Sequence, residues 1–420
     1  MDRMRYIIGV DDHDSPVGGC TTHFSWLLFR EFEKIQVKLE GYPRLTRLNP
    51  NIPWKTRGNA SISFVVETER DIDELLDIVW NLSLDYIENV SKGYNYKRSP
   101  GVAIMNFRHD PLLEHIYWKA VTDVVTREYA VKISEKLGIK TKGGRGIIGA
   151  IASMGFKTGM TYELLTYRRR ENWNSPRRVD FNTVMNYDLA FFPYVYANVD
   201  YVSKEQLIVS HGNDPVLYGL RGLKPSVLLE GLKLIRSEDV EGYQLFETNQ
   251  GSDHHFKTSS LKPYSSFVGD VTIKKVNVMR GGDCMLFGYK FPVIVYKETG
   301  ELNQAVRYLL PGDTIKVYGA VKPSAEYGLV IEAERIDITE LKPDQMYINP
   351  RCPLCGGSSE SLGRNKGFRC RKCRNKFKGD KIIQERPRSV TIGVYQTRKY
   401  RHLTKPIFLE TIYDSKEDLK

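Results

Sequence analysis

The chain has 420 residues, of which 41% are hydrophobic, and it carries a formal net charge of +11 with a pI near 9.1. This length predicts two to four domains with ordinary packed cores. The positive charge favours a polyanionic partner such as nucleic acid, and a merely basic protein is the alternative. The sequence has no apolar stretch long enough to cross a bilayer, and Asp11 and Asp12 argue against a secretory signal. We therefore expect a cytoplasmic protein.

The most informative pattern is an acidic run that lies between a predicted strand and a predicted helix. The apolar run Tyr6–Val10 predicts the strand, and apolar residues at helical spacing over Thr22–Lys34 predict the helix. Carboxylates at the end of a strand can hold Mg²⁺, which usually bridges to the phosphates of a nucleotide. The three carboxylates of this run belong to Asp11, Asp12 and Asp14.

A glycine turn joins the acidic run to the helix and favours phosphate binding. Gly18 and Gly19 leave backbone N–H groups open to phosphate oxygens, and the helix start adds the positive end of its dipole. Thr21 and Thr22 follow the turn, and helix capping by either hydroxyl is the alternative to a role in phosphate binding.

Three further polar segments allow more than one interpretation. The Pro- and Asn-rich segment 44–59 predicts a loop with four cations, which is either solvated or a phosphate clamp that uses Lys55, Arg57 and Gly58. The turn 140–146 is either an anion-binding loop or a linker into a new domain. The adjacent histidines at 254 and 255 favour a polar loop, because no third metal ligand has a suitable spacing.

The remaining patterns separate an α/β part of the chain from an all-β part. Strand and helix patterns alternate up to about residue 262 and include the helix pattern Pro225–Leu234. From Pro263 onward only short strand patterns occur, and five of them predict a small barrel of the oligonucleotide-binding (OB) type. The five patterns are Ser266–Val278, Cys284–Tyr289, Phe291–Tyr296, Thr314–Val321 and Tyr327–Ile338.

Four of the six cysteines form two C-x₂-C pairs with fourteen residues between them. Two such turns bring four thiolates together and predict a closed, structural Zn²⁺ site. A redox pair would need only one C-x₂-C in a different context. The surrounding residues are basic and aromatic, which favours RNA or single-stranded DNA as the partner of this ribbon. The predicted zinc ligands are Cys352, Cys355, Cys370 and Cys373.

Seven short motifs together resemble the archaeal tRNA(Ile) 2-agmatinylcytidine synthetase (TiaS) family over essentially the whole chain. They are Asp11-Asp12-x-Asp14-Ser15, Gly19-Cys20-Thr21-Thr22, Arg47-Leu48-Asn49-Pro50, Lys55-Thr56-Arg57-Gly58-Asn59, Gly144-Arg145-Gly146, Pro215-Val216-Leu217-Tyr218-Gly219 and Arg401-His402-Leu403. The order of barrel and four-cysteine ribbon also agrees with the family. The chain departs from the expected pattern at His13, where the family suggests Thr, and at Ala60, where it suggests Gly.

The resemblance implies an α+β multidomain fold with four domains and a tail. These would be a kinase-like α/β ATP-binding domain over 1–140, a ferredoxin-like domain over 141–262, the OB-fold over 263–342, the zinc ribbon over 343–380 and a basic tail over 381–420. It also implies an ATP-dependent ligase that phosphorylates the C2 oxygen of the wobble cytidine and then displaces it with agmatine. The substrate would be the isoleucine tRNA with a CAU anticodon, and ATP would end as AMP and phosphate.

For the site, the resemblance implies that Thr21 is itself phosphorylated and that ATP, Mg²⁺ and structural Zn²⁺ are the cofactors. Asp11, Asp12 and Asp14 would hold Mg²⁺. Because agmatine is cationic, its pocket should be acidic, and Asp214 and Asp253 are the candidates. We expect a monomer that does not bind membranes. The competing hypothesis is a non-enzymatic single-strand binder built from the OB-fold and the zinc ribbon.

Overall fold

The structure is a computed structural model that describes residues 3–55, 58–157, 161–210, 212–288, 290–398 and 400–410. The described residues within Met1–Val268, Ala320–Pro323 and Arg398–Lys420 form one compact unit, and those within Gly269–Gly319 and Ser324–Thr397 form a second. Both units contain β-sheets, most of the helices belong to the first unit, and the fold is mixed α+β. None of the helices in the described ranges is long and apolar enough to cross a membrane.

The first unit contains seven α-helices and ten strands among its described residues. The helices are α1 (Thr21–Lys34), α2 (Ile72–Asp85), α3 (Pro111–Thr122), α4 (Arg127–Leu137), α5 (Ile147–Met154), α6 (Phe181–Phe191) and α7 (Pro225–Leu234). The strands are β1 (Met4–Asp11), β2 (Lys38–Arg47), β3 (Ala60–Thr68), β4 (Gly101–Asn106), β5 (Lys140–Gly143), β6 (Thr161–Arg168), β7 (Val199–Asp200), β8 (Glu205–Gln206), β9 (Val216–Gly222) and β10 (Val240–Thr248).

Eight of these strands form one continuous sheet in the order β5-β4-β1-β3-β2-β10-β6-β9. Strand β10 joins the two halves, because it pairs parallel to β2 and antiparallel to β6. The parallel pairing sets Glu247 opposite Arg44 and Thr248 opposite Leu45. The sheet therefore brings the end of β2 close to β6 and β9, whose residues are more than a hundred positions later in the sequence.

Helices cover both faces of the sheet because successive side chains of a strand point to opposite faces. Ile8 and Val10 of β1 pack with α1 and α2 on one face, and Ile7 packs with α3, α4 and α5 on the other. A separate core lies between β6, β9 and β10 and the helices α6 and α7. Burial on both faces explains why β1 reads as a continuous apolar run.

The predicted strands and helices of the first unit are largely confirmed, with two differences in the segments between them. Residues 44–47 were predicted to begin a loop but belong to β2, because they pair with β3 and with β10. Residues 140–143 form β5 at the sheet edge and not a flexible linker, because they pair with β4. Helix α2 ends at Asp85 and is followed directly by a π-helical turn over Tyr86–Ser91.

The second unit contains the strands of the all-β part and one short helix. The strands are β11 (Ser266–Thr272), which begins in the first unit, β12 (Lys275–Val278), β13 (Cys284–Phe287), β14 (Val293–Val295), β15 (Thr314–Ser324), β16 (Gly328–Glu340), β17 (Asp344–Ile348), β18 (Ser359–Ser361), β19 (Phe368–Cys370), β20 (Lys376–Phe377), β21 (Ile382–Arg386) and β22 (Gly393–Gln396). The helix is α8 (Glu301–Val306).

The main sheet of this part runs β11-β15-β16-β14-β13-β12, and β22 also pairs with β16. Four of the five predicted strands are confirmed with small shifts of their ends, whereas the predicted strand Ser266–Val278 is divided into β11 and β12. The described residues contain no pairing between β11 and β12 that would close a barrel. A separate three-stranded sheet, β18-β19-β20, carries the second cysteine pair at its end, and β17 pairs with β21. Part of the predicted tail after residue 380 is therefore paired in strands.

Candidate active site

The turn before α1 has a backbone that only glycine adopts easily. Gly19 has a φ of 75°, and a Cβ at this position would collide with Ser91. Cys20 is the N-cap of α1 and provides no side-chain cap, and Thr21 is the first helical residue. Neither threonine therefore caps the helix. The Thr21 hydroxyl instead accepts a hydrogen bond from the His13 backbone N–H at 3.3 Å.

The three predicted carboxylates do not converge on one point. In the described part of the chain, only the four ribbon cysteines bring three or more metal-type ligand atoms within 4.8 Å of one another. Asp12 accepts a hydrogen bond from the Ser99 backbone N–H at 2.9 Å and lies 3.5 Å from Arg145. Burial and the neighbouring charge of Asp12 raise the pKa of Asp11 well above its usual value.

A cavity of about 460 Å³ in the first unit collects several of the predicted residues. It lies at the start of α1 and is also lined by residues from β2, β3, β6 and β9. The predicted residues in its wall are Asp14, Thr21, Thr22, Gly58 and Asp214. Two motifs that are almost two hundred residues apart in the sequence therefore meet here. We call this space the first cavity.

Asp214 stands next to an apolar part of the first cavity wall. Its carboxylate lies 3.2 Å from Arg177 and accepts hydrogen bonds from the Ser210 hydroxyl and from the Val216 backbone N–H. The apolar wall consists of Leu165, Leu207, Ile208, Val209 and Val216. The cavity thus offers a carboxylate beside a surface that suits a short methylene chain.

Sequence reasoning missed three charged residues and one histidine of the first cavity as site residues, namely Arg47, Glu163, Arg221 and His402. Glu163 of β6 is 2% exposed and lies 3.0 Å from Arg47 and 3.6 Å from Arg221. His402 also lines the cavity, and burial together with both arginines lowers its pKa well below the usual value. A charged Glu inside the apolar strand Thr161–Arg168 was the available signal, because isolated charges are rarely buried.

A second cavity, of about 100 Å³, collects three more of the predicted residues. Asp11, Asp12 and Lys55 line it together with Arg145. Burial, and then the charges of Arg401 and Arg47, lower the pKa of Lys55. Gly149 of α5 packs directly on the Asp11 carboxylate, where a Cβ would collide with Oδ2. This second cavity therefore combines three carboxylates, the third belonging to Asp123, with two cations.

Several predicted residues lie away from both cavity walls or outside the described structure. Gly18 packs against Trp173 and Gly19 against Ser91, so these glycines allow close packing next to the helix start. Asp253 accepts a hydrogen bond from the Lys405 backbone N–H at 2.7 Å and lines neither cavity. Arg57 lies outside the described residues.

The two departures from the family pattern have different surroundings. His13 is fully buried, stacks on Phe24 at 4.0 Å and has its Nε2 2.6 Å from the Ser83 hydroxyl. Burial lowers the pKa of His13 to about 3, so this ring is neutral at physiological pH. Ala60 lines the first cavity at the start of β3. His13 is therefore a core residue, and Ala60 alone touches the site.

The four cysteines of the ribbon form a metal-binding cluster. Their sulfur atoms all lie within 4.8 Å of one another, with 3.6 Å between Cys352 and Cys373 and 3.5 Å between Cys355 and Cys370. A tetrahedral Zn²⁺ with Zn–S bonds of about 2.3 Å places its sulfurs roughly 3.8 Å apart. The arrangement thus fits one zinc ion. His254 and His255 belong to no comparable group in the described chain.

Comparison with known proteins identifies three family domains in this chain. The family models that match are the TiaS TCKD domain over residues 7–69, the TiaS FLD domain over residues 144–255 and the TiaS C-terminal zinc ribbon domain over residues 349–390. The first two segments supply most of the first cavity wall, and the third contains all four clustered cysteines.

Full-length relatives extend this similarity to nearly the whole chain. The isoleucine-tRNA 2-agmatinylcytidine synthetase TiaS of Saccharolobus islandicus is 44% identical over 417 residues, covering 97% of this chain and 93% of that protein. A crystal structure of TiaS in complex with an isoleucine tRNA and ATP has a TM-score of 0.87 at 32% identity, with 96% and 97% of the two chains covered. A complex of TiaS with the same tRNA, AMPCPP and agmatine has a TM-score of 0.84 at 29% identity and the same coverage. The chain belongs to the TiaS family.

Proposed function

We propose that this chain is an ATP-dependent ligase that attaches agmatine to C2 of the wobble cytidine of the isoleucine tRNA with a CAU anticodon. The observation that carries the proposal is the first cavity, where Asp14 and Thr21 from one family segment meet Asp214 from another. Relatives that align over nearly their whole length are named for this activity, and solved relatives hold an isoleucine tRNA, ATP or an analogue, and agmatine.

The reaction needs activation of the C2 oxygen, because an amide-like oxygen is a poor leaving group. Phosphorylation of this oxygen makes displacement by the agmatine amine feasible, and phosphoryl transfer depends mainly on positioning and charge neutralisation. In our proposal Asp14 and Thr21 face the reacting groups. Thr22 and Gly58 border the phosphates, whereas Gly18 and Gly19 line neither cavity and would contribute only through the shape of the turn before α1.

The second cavity supports a role in holding the nucleotide phosphates. Asp11 and Asp12 would ligate Mg²⁺, which commonly uses one or two carboxylates and completes its shell with phosphate oxygens and water. The ion would supply charge neutralisation at the transferred phosphoryl group. Lys55 would neutralise further phosphate charge, together with Arg57. Burial, and then repulsion from Asp12, raise the pKa of Asp11, and a bound cation would offset both effects by favouring the charged carboxylate.

Agmatine fits the acidic and apolar side of the first cavity. Its cationic groups would approach Asp214, and its methylene chain would pack on the neighbouring apolar wall. Asp214 already pairs with Arg177, so a cationic ligand would share this carboxylate or displace the arginine. Asp253 remains the second candidate, and its hydrogen bond to Lys405 favours a structural contribution.

The finer domain assignment follows the sequence-based boundaries. We propose a kinase-like domain over 1–140, a ferredoxin-like domain over 141–262, an OB-type sheet over 263–342, the zinc ribbon over 343–380 and a basic tail over 381–420. The last three parts would bind the tRNA, and the ribbon would hold Zn²⁺ through its four cysteines. We propose a monomeric enzyme of the cytoplasm.

Formation of AMP from ATP tests the function directly. The chain should convert ATP to AMP and phosphate and attach agmatine to the tRNA only when the tRNA and agmatine are both present. The matched control is the same tRNA with guanosine at the wobble position, which should give no agmatine attachment. Formation of AMP at the same rate with and without agmatine would contradict the proposal. Tight binding to any single-stranded nucleic acid without ATP would support the alternative of a non-enzymatic binding protein. Such a protein would not need the two cavities.

A further inference from the structure

One carboxylate stands between two guanidinium groups in the wall of the first cavity. Glu163 Oε2 accepts a hydrogen bond from Arg47 Nη2 at 3.0 Å, and Glu163 Oε1 lies 3.6 Å from Arg221 Nε. All three residues line the cavity, and the side chains of Glu163 and Arg47 are only 3% and 9% exposed. The cluster therefore carries one positive charge in excess, in surroundings where solvent screens it weakly.

Arg47 has donor capacity that its protein contacts do not use. Its Nε is buried and has no hydrogen-bond partner among the residues that the structure describes. A buried, unsatisfied donor is costly, and the cost is higher when the group is charged. Asn249 holds the backbone of Arg47 through both its N–H and its carbonyl, at 2.8 and 2.9 Å. The backbone of Arg47 is therefore held in place, and its guanidinium lines the cavity with donor capacity that its bond to Glu163 does not use.

Other neighbours of the cluster keep this part of the cavity open to an anion. Gly58 has no room for a side chain, because a Cβ would collide with Arg47 Nη1. Helix α1 begins at Thr21 in the same cavity, and its N-cap contributes no side-chain acceptor, so the positive end of its dipole faces this space. The two other acidic residues of the cavity wall lie beside different arginines, because Asp214 pairs with Arg177 and Asp14 lies 4.0 Å from Arg98. Arg47 and Arg221 are therefore not needed to neutralise them.

We propose that Arg47 and Arg221, positioned by Glu163, form an oxyanion subsite for the phosphoryl group that passes through the first cavity. This inference rests on the proposed function. In the displacement step the agmatine nitrogen forms a bond to C2, and the bond between C2 and the phosphorylated oxygen breaks. The oxygen leaves with its phosphoryl group as phosphate, and the amine proton passes to solvent. Two guanidinium groups stabilise the negative charge that develops on the departing oxygen.

Binding of inorganic phosphate tests the subsite without tRNA, ATP or agmatine. The probe is inorganic phosphate, titrated into the full chain at constant ionic strength and followed by calorimetry. Arg221→Gln should weaken phosphate binding at least ~10-fold, which corresponds to about 1.4 kcal/mol. Arg221→Lys should give an intermediate loss, because lysine keeps the charge but not the paired donors. Arg5→Gln is the matched control, since Arg5 is exposed and pairs with Glu40 away from the cavity. Equal phosphate affinity for Arg221→Gln and the wild type would overturn the proposal.

A second arm follows the phosphoryl group in the displacement step. With tRNA labelled from ATP in the absence of agmatine, later addition of agmatine should release phosphate ~10-fold more slowly in Arg221→Gln. If the wild type shows no agmatine-dependent release, the proposed function fails, whereas the phosphate titration still decides the subsite.

Discussion

At the scale of single residues, Thr21 has the most specific expected role. It opens α1, is 6% exposed and lines the first cavity beside Asp14. Its hydroxyl accepts a hydrogen bond from the His13 backbone and does not cap the helix. The position is compatible with a hydroxyl that accepts a phosphoryl group. Thr22 lines the same cavity, with its Oγ1 3.2 Å from the Cys20 sulfur, and provides a close comparison.

Thr21→Ala should reduce phosphate labelling of the protein from γ-labelled ATP to background. The substitution removes the acceptor oxygen and one hydrogen bond, so the free energy of unfolding should fall by no more than about 1.5 kcal/mol. Labelling is measured after separation of protein from tRNA, and stability is measured by denaturant titration. Thr22→Ala, the matched variant, should keep its label. Labelling that persists in Thr21→Ala and disappears in Thr22→Ala would assign the acceptor to Thr22.

Motifs predicted part of the site, and pairing across the fold supplied the rest. Asp14, Thr21 and Asp214 were named from the sequence, and the structure brings all three to one cavity. Arg47 was noted only as part of a predicted loop and of a family motif, with no role in the site, and Glu163 received no role. Their partnership joins positions 116 residues apart, and neither spacing nor periodicity in a single sequence reveals such a pair.

At the scale of elements, the helices and strands followed from local patterns, whereas the sheet did not. Apolar periodicity predicted α1, α7 and β1 because these elements bury residues at regular intervals. The pairing of β10 with β2 makes one sheet from segments about 200 residues apart, which local patterns cannot reveal. The segment 140–143 was misjudged for the same reason, since a short polar edge strand lacks the alternation of a half-buried strand.

The zinc ribbon provides the prediction at this scale. Replacement of both Cys352 and Cys355 by Ser should release zinc and unfold the ribbon, because such small sites depend on their metal for folding. We expect tRNA affinity to fall at least ~10-fold, while ATP affinity changes little. Zinc is quantified by atomic absorption, and both affinities by equilibrium binding. Leu354→Ser changes an exposed residue between the two ligands and should retain zinc and tRNA binding. Unchanged tRNA affinity after zinc loss would contradict a role for the ribbon in binding tRNA.

At the scale of the whole molecule, the net charge of +11 indicates a polyanionic partner but does not locate its binding surface. The excess of lysine and arginine is distributed along the chain, and many of these residues form surface ion pairs, such as Lys140 with Asp73. Surface pairs of this kind contribute little to stability. The relevant question is therefore whether tRNA affinity follows the total charge or the charge of one surface.

The salt dependence of tRNA binding distinguishes these two cases. Each phosphate contact releases counterions, so the logarithm of Kd should rise linearly with the logarithm of salt concentration between roughly 50 and 200 mM. Reversing Arg371 and Lys372 to Glu, two exposed positions of the ribbon, should reduce this slope by about 1 to 2. Reversing Lys132 and Lys136 to Glu, exposed on α4, changes the net charge by the same amount and should leave the slope unchanged. If both reversals reduced the slope equally, total charge would govern tRNA binding. If the tRNA binds one local surface, only the reversal on that surface should change the slope.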